Sequence, residues 1–229
     1  MQQTEGRVSE VRMERDGGMQ AHITCPAGVI PAAGRYCLAY TPHETEIALA
    51  TPLFLAEEVA GGFWAAPPLP ATWGPGTELD LRGPLGHGFD LPVSVQRLAL
   101  VALGETVARL QPLIRKALGD NCAAALFSDA PIPALPSSLE IYPLASSPEA
   151  LGWADFLAMD LQLERLSDLR SVLGLAKEGK LPCPAQALIW SPMPCGSLAR
   201  CGVCAVPSHR GWKLACEDGP VLDIGLLEW

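Results

Sequence analysis

Charge is scarce in this sequence. Only 18% of its 229 residues are Asp, Glu, Lys or Arg, while 49% are hydrophobic, so the chain can bury a core and does not read as intrinsically disordered. Basic residues are the scarcer sign, with 16 Lys and Arg against 25 Asp and Glu and a formal charge of -9. No segment gathers enough of them to track a phosphate backbone, which excludes nucleic-acid partners. Long apolar runs are missing too. No stretch approaches the roughly 20 residues that a membrane helix needs, and the opening MQQTEGRVSEVRMERDGG has no apolar targeting core, so the expectation is a cytoplasmic protein without a membrane partner. Uninterrupted regular stretches are also short. Glycine and proline number 22 each, which argues for strands and loops over a helix bundle.

What is present in quantity is cysteine, eight in all. Cys25, Cys37, Cys122 and Cys183 stand singly among apolar or proline-rich neighbours, where a free cysteine behaves as a small buried hydrophobe. Cys195, Cys201, Cys204 and Cys216 instead crowd into 22 residues with the spacing C-x5-C-x2-C-x11-C. In the cytoplasm such crowding points to metal ligation more than to disulfides. The Cys201/Cys204 pair lets two thiolates converge, and Gly202 between them permits a tight turn. Gly196 lets the loop after Cys195 fold closely and offer N–H groups to inorganic sulfide. The excursion from Ala205 to Ala215 is long enough for a hairpin turning at Ser208 to Gly211. Structural zinc sites of four cysteines tend to use two CxxC knuckles, and only one exists here. Plant-type 2Fe-2S centres use C-x4-C-x2-C and a distant fourth cysteine, one residue shorter in the first gap. A 2Fe-2S cluster is therefore the first assignment, zinc the second and a metal-free thiol cluster the third.

The stretch from Gln186 to Asp223, with PMPCG, CGVCAV and CEDGPV in order, resembles the electron-transfer subunit of dihydroorotate dehydrogenase, an iron-sulfur flavoprotein of the ferredoxin-reductase superfamily. A second match lies in Gly74 to Phe89, whose GPLGHGF is similar to the segment that closes the family's FAD-binding barrel. The resemblance implies a β plus α/β fold in three parts. Residues 1–95 form an antiparallel β-barrel, 96–184 a nucleotide-fold-like parallel α/β domain and 185–229 a loop-rich 2Fe-2S segment held by Cys195, Cys201, Cys204 and Cys216. Val8 to Met13 and Met19 to Thr24 read as barrel strands around the turn signal Asp16-Gly17-Gly18. Gly34 to Tyr40 takes the place of the strand that approaches the flavin.

FAD is a candidate second cofactor on this resemblance, with Arg35, Tyr36, Thr51, Pro52, Gly83 and Gly86 as the positions that would meet it. The family's Arg-Pro-x-Ser element, whose arginine clamps the flavin pyrophosphate, is replaced by Thr51-Pro52-Leu53-Phe54, and Arg35 is the nearest upstream cation. In the second part, Leu98 to Leu103, Ala123 to Phe127, Leu139 to Tyr142 and Ala185 to Trp190 read as strands and Val107 to Leu118 as a covering helix. A polar helical stretch is expected from Trp153 through Arg170. The family's triple-glycine turn is reduced to Gly104, followed by Glu105 where a phosphate would lie, so NAD(H) binding is not expected.

The remaining polar residues carry less. His87 and His209 read as turn residues, and Asp155 and Asp160, five apart, make a poor acid/base pair. Trp212 reads either as a shield for the cluster or as an ordinary packing residue. The expected function is electron transfer through the cluster to or from a redox partner, by resemblance a dihydroorotate-dehydrogenase-like catalytic subunit of pyrimidine biosynthesis, in a homodimer or heterotetramer. The alternative is a zinc-stapled interaction module.

Overall fold

The computed structural model describes residues 2–13, 18–42 and 49–229. Six strands close an antiparallel barrel in the order β1-β2-β5-β4-β3-β6: β1 (Gln2–Met13), β2 (Met19–Thr24), β3 (Tyr36–Tyr40), β4 (Thr51–Val59), β5 (Gly62–Ala65) and β6 (Glu78–Leu85). The first strand starts well before Val8, and Asp16 and Gly17 of the turn signal lie outside the described residues. Alternation along β3 and β4 sorts the side chains. Cys37, Ala39, Leu53 and Leu55 fill the barrel with Val8, Ile23, Phe63 and Leu81. Their neighbours Tyr36, Leu38, Phe54 and Ala56 point outward and are buried as well, as happens when a second layer covers a strand's outer face.

That layer is a six-stranded sheet in the order β14-β11-β10-β7-β8-β9. It contains β7 (Arg97–Leu103), β8 (Ala123–Ser128), β9 (Glu140–Tyr142), β10 (Phe156–Gln162), β11 (Ala185–Trp190) and β14 (Val221–Asp223). All neighbouring pairs are parallel except β11 with β14. Helix α1 (Gln111–Gly119), entered through a 3-10 turn at Ala108–Leu110, packs Leu113, Ile114 and Ala117 into one core with Leu98, Leu100 and Ala158. The opposite faces of β7 and β10 share a core with Ala150 of α2 (Ser147–Trp153), Leu169 of α3 (Leu169–Val172) and the barrel's outward residues. A short ribbon of β12 (Ala205–Ser208) and β13 (Gly211–Leu214) completes the fold, turning where the sequence predicts.

One expectation is corrected. The stretch after Trp153 is not continuously helical: Phe156–Gln162 is β10, a buried strand between β7 and β11. Its run FLAMDLQ is apolar on both faces apart from Asp160 and the terminal Gln162, as a central parallel strand requires. Helix is confined to α3, after a 3-10 segment at Leu163–Asp168. Asp155 stands just before β10 and pairs with Arg97 at 2.6 Å while accepting the N–H groups of Gln96 and Arg97. The Arg97 hydrogen bond is the main cause that holds its carboxyl below the usual carboxylate range. Asp155 and Asp160 serve separate ion pairs and form no acid/base dyad.

Candidate metal centre

Strand β11 delivers the chain through Ser191-Pro192-Met193-Pro194 to Cys195. The next turn runs through the left-handed region at Gly196, Ser197, Ala199 and Gly202, with φ of 61°, 60°, 55° and 71°. For Ser197 and Ala199 that conformation costs about 1 kcal/mol each and needs surrounding contacts to hold it. Gly196 has a second constraint, since a Cβ there would stand 2.7 Å from Tyr40 Oη. Backbone N–H groups of this loop, that of Arg200 above all, favour the thiolate of Cys195, and that of Ala199 favours the thiolate of Cys216.

Cys195 interacts most closely with Cys201 and Cys216 with Cys204, and Cys195 also acts electrostatically on Cys216. Cys201 is exposed, Cys195 half-buried, and Cys204 and Cys216 are buried. Among the described residues, no three cysteine, histidine or carboxylate side chains meet in a metal-holding group. The donor set fits a dinuclear centre better than a single ion: a tetrahedral zinc draws four thiolates to one point at about 2.3 Å, whereas a 2Fe-2S cluster takes two thiolates on each of two irons. Backbone N–H groups are what sulfide and thiolate sulfurs accept from.

The two pairs differ electrostatically. Backbone N–H donation, led by Arg200, lowers the Cys195 thiol to about 6, whereas burial raises Cys216 to about 12. In the metal-free chain, Cys195 should be the first cysteine alkylated by iodoacetamide at pH 7. Its rate should climb through pH 6, because the thiolate is the nucleophile and is present above its pKa. Peptide mapping after brief labelling checks this, and faster modification of Cys201 would contradict it.

The other cysteines are where their neighbours predict. Cys25 and Cys37 lie in the barrel core and Cys122 beneath β7, while Cys183 is half-buried against the sheet. Burial raises Cys25 to about 11 and Cys37 further still. Trp212 neither shields the cluster loop nor packs: it is 70% exposed on the uncovered face of β13. His209 is an exposed turn residue whose N–H donates to Leu226 O.

The barrel braces the loop from behind. Tyr36 Oη donates to Cys216 O at 2.9 Å and lies 2.7 Å from Ser197 Oγ. Burial is the main cause that pushes its phenol up to about 12. Arg82 of β6 donates to Gly196 O. Gly86, at φ 71°, packs so closely on Gly219 and Pro220 that a Cβ would fall 2.6 Å from each, and His87 Nδ1 lies 3.1 Å from Asp218 O. Asp218 in turn accepts from Lys213 Nζ at 3.0 Å and Leu214 N at 2.8 Å, which fixes the ribbon beside the fourth cysteine.

The six positions matched to FAD all lie on the barrel, in β3, β4 and β6 or the turns beside them. Arg35 donates to the carbonyls of Gly86 and Pro84 at 3.0 and 3.3 Å. A Cβ on Gly83 would fall 2.6 Å from Cys37 Cβ, so that glycine serves the approach of β6 to β3. Thr51 and Pro52 are half-buried at the start of β4 and pair with Ala39 and Leu38. Phe54, where the family's hydroxyl belongs, is 2% exposed with its ring centroid 5.8 Å from that of Tyr36.

A cleft of about 1060 Å³ opens at the carboxyl ends of β7, β8 and β10, the position at which open α/β sheets take ligands. At its floor lies an ion pair that sequence reasoning missed. Arg109, 3% exposed, donates through Nε to both oxygens of Asp160, itself 1% exposed, at 3.0 Å. Arg109 Nη1 donates to Pro67 O of the barrel at 2.7 Å. The available signal was the lone aspartate inside the apolar run FLAMDLQ, because a charge on a buried strand needs a partner. None of the six barrel positions, and none of the cysteines, lines this cleft.

No family model and no curated protein matches the sequence. Solved structures do match. A chain of the NADH-dependent reduced ferredoxin-NADP oxidoreductase, solved in work on flavin-based electron bifurcation, aligns over 98% of this chain and 90% of its own at TM-score 0.76 and 16% identity. The ferredoxin reductase of carbazole 1,9a-dioxygenase, in its FAD apo form, covers 76% at TM-score 0.57 and 18% identity, and this chain spans 63% of it. Phthalate dioxygenase reductase, described as a modular structure for electron transfer from pyridine nucleotides to [2Fe-2S], covers 81% of this chain and 68% of its own at TM-score 0.58 and 11% identity. Identities this low establish architecture alone. A closed six-stranded barrel joined to a mainly parallel α/β sheet gives this chain the fold of ferredoxin-reductase-like electron-transfer proteins.

Proposed function

We propose that this chain is an electron-transfer protein whose Cys195, Cys201, Cys204 and Cys216 hold a 2Fe-2S cluster. The observation that carries the reading is that the loop from Cys195 to Cys216 brings the four cysteines within electrostatic reach of one another, with backbone N–H groups favouring the thiolate of Cys195. When bound, such a cluster supplies reversible one-electron chemistry; the protein supplies ligands, N–H donors and position. Cys195 and Cys201 would hold one iron near the surface, and Cys204 and Cys216 the other against the core. The phthalate dioxygenase reductase likeness supports the reading, because that protein passes electrons to a [2Fe-2S] centre. By the motif resemblance the partner is a dihydroorotate-dehydrogenase-like catalytic subunit in the cytoplasm. No helix among the described residues is long and apolar enough to cross a membrane.

Anaerobically purified chain should be brown and contain iron and acid-labile sulfide in equal amounts. Colourless protein with stoichiometric zinc would make the chain a zinc-stapled module instead.

A further inference from the structure

Beside the cleft, and sharing Met13 and Pro131 with it, a second pocket of about 510 Å³ opens between the barrel and α1. Arg12 of β1, Gln20 of β2 and Glu57 of β4 line it from the barrel, and Gln111 and Arg115 line it from α1. Local geometry gathers them. Arg12 faces Gln20 across the β1–β2 ladder, and Gln111 and Arg115, one turn apart in α1, share a face of the helix.

Both arginines turn to the same carboxylate. Arg115 Nη2 donates to Glu57 Oε1 at 3.0 Å, and Arg12 Nη2 lies 3.7 Å from Glu57 Oε2. Two further contacts fix Arg12: its Nε and Nη2 donate to Gln20 Oε1 at 3.0 and 2.6 Å, and its guanidinium lies 4.1 Å from the centre of the Trp64 ring. Two guanidinium groups against one carboxylate leave a net positive charge among the described lining residues. Half-exposed ion pairs are common and mark no site by themselves. Gln111 sets this place apart. It lines the pocket and is 2% exposed, yet its side-chain amide has no hydrogen-bond partner among the described residues. An amide buried without a partner is costly, and a ligand oxygen that reached it would remove the cost. The facing wall of Met13, Pro131, Ile132, Pro133 and Ala134 is apolar, and its two prolines have no N–H to give.

We propose that this pocket binds a small organic carboxylate with an apolar body. The carboxylate takes guanidinium N–H groups that Glu57 leaves over, one of its oxygens meets the Gln111 amide, and the body lies on Met13 and the proline-rich segment. Guanidinium forks match a planar carboxylate, and a single surplus positive charge suits a monoanion better than a phosphate dianion. Because its ligands come from the barrel and from α1, the bound molecule bridges the two and stabilises the folded chain. No cysteine lines the pocket, so the proposal goes beyond the electron-transfer reading and stands whether or not iron is held.

The test titrates the full chain with isocaproate and phenylacetate, with isocaproamide as the neutral isostere and inorganic phosphate as the competing anion. The carboxylates should give saturable heat and raise the Tm, the amide should do neither, and phosphate should bind more weakly. Arg115→Met keeps the stem and removes the charge at a half-exposed position; it should weaken carboxylate binding about tenfold. Gln111→Met, close in shape, should weaken it as well while leaving the Tm of the free chain unchanged or raised. Side chains with a merely structural role would move the Tm and leave the affinity as it was. Absence of saturation with both carboxylates, equal binding of the amide, tighter binding of phosphate, or undiminished affinity in both variants would overturn the proposal.

Discussion

Cys201→Ser should reduce retained iron and sulfide to background while leaving the fold in place. Cys201 is exposed, so its replacement opens no cavity and removes no core contact. What changes is the donor. A serine hydroxyl, unlike a thiol, does not ionise near neutrality and is a poor soft ligand for iron. Because Cys201 pairs with Cys195, one iron would be left with a single protein thiolate. Cys122→Ser is the matched control: it places the same hydroxyl at a buried position beneath β7 and should lower stability while leaving iron untouched. Full iron in the Cys201 variant would defeat the ligand assignment. Parallel loss of iron in the Cys122 variant would show that unfolding, and not ligand chemistry, was being measured.

The second large effect is expected from Asp160→Ala. The variant leaves the Arg109 guanidinium buried at 3% exposure without its counter-charge, and breaking a buried pair from one side costs about 3–5 kcal/mol. For a chain of this size that corresponds to a fall in Tm of roughly 10 °C. Replacing both partners, as Arg109→Met with Asp160→Leu, should recover most of the loss, since a packed apolar pair often matches a buried ion pair. Recovery would be incomplete to the extent that Arg109 Nη1 also holds Pro67 O of the barrel. Thermal melts of the single and double variants decide it. An unchanged Tm for Asp160→Ala would mean that the pair is not buried as described.

Arg109 and Asp160 also show where the sequence could and could not be read. The cysteine spacing announced a loop and ribbon, and the apolar runs at β7, β8 and β11 announced parallel strands, because those signals are local. Strand β10 was concealed by a single carboxylate that made a buried strand resemble a polar helix. Its partner lies 51 residues away, beyond any local pattern. The hydroxyl contacts of Tyr36 were out of reach for the same reason. Its position in GRYCLAY suggested a cofactor face, but its hydroxyl partners Ser197 and Cys216 are 161 and 180 residues downstream. The packing of Phe54 against Tyr36 was likewise invisible.

The antiparallel pairing of β14 with β11 bears on the order of assembly. The chain leaves the sheet after Trp190 and returns at Val221, where Val221 faces Leu188 across the ladder. The cysteine loop is therefore an excursion whose two ends are clamped side by side, and its closure is supplied by the sheet instead of by the metal. Loop-closure entropy is met by the sheet without any metal. A polypeptide built this way can complete its fold first and be loaded afterwards. Removal of the metal should then loosen the loop alone, detectable as local amide exchange in residues 191–220 while the strands on either side remain protected.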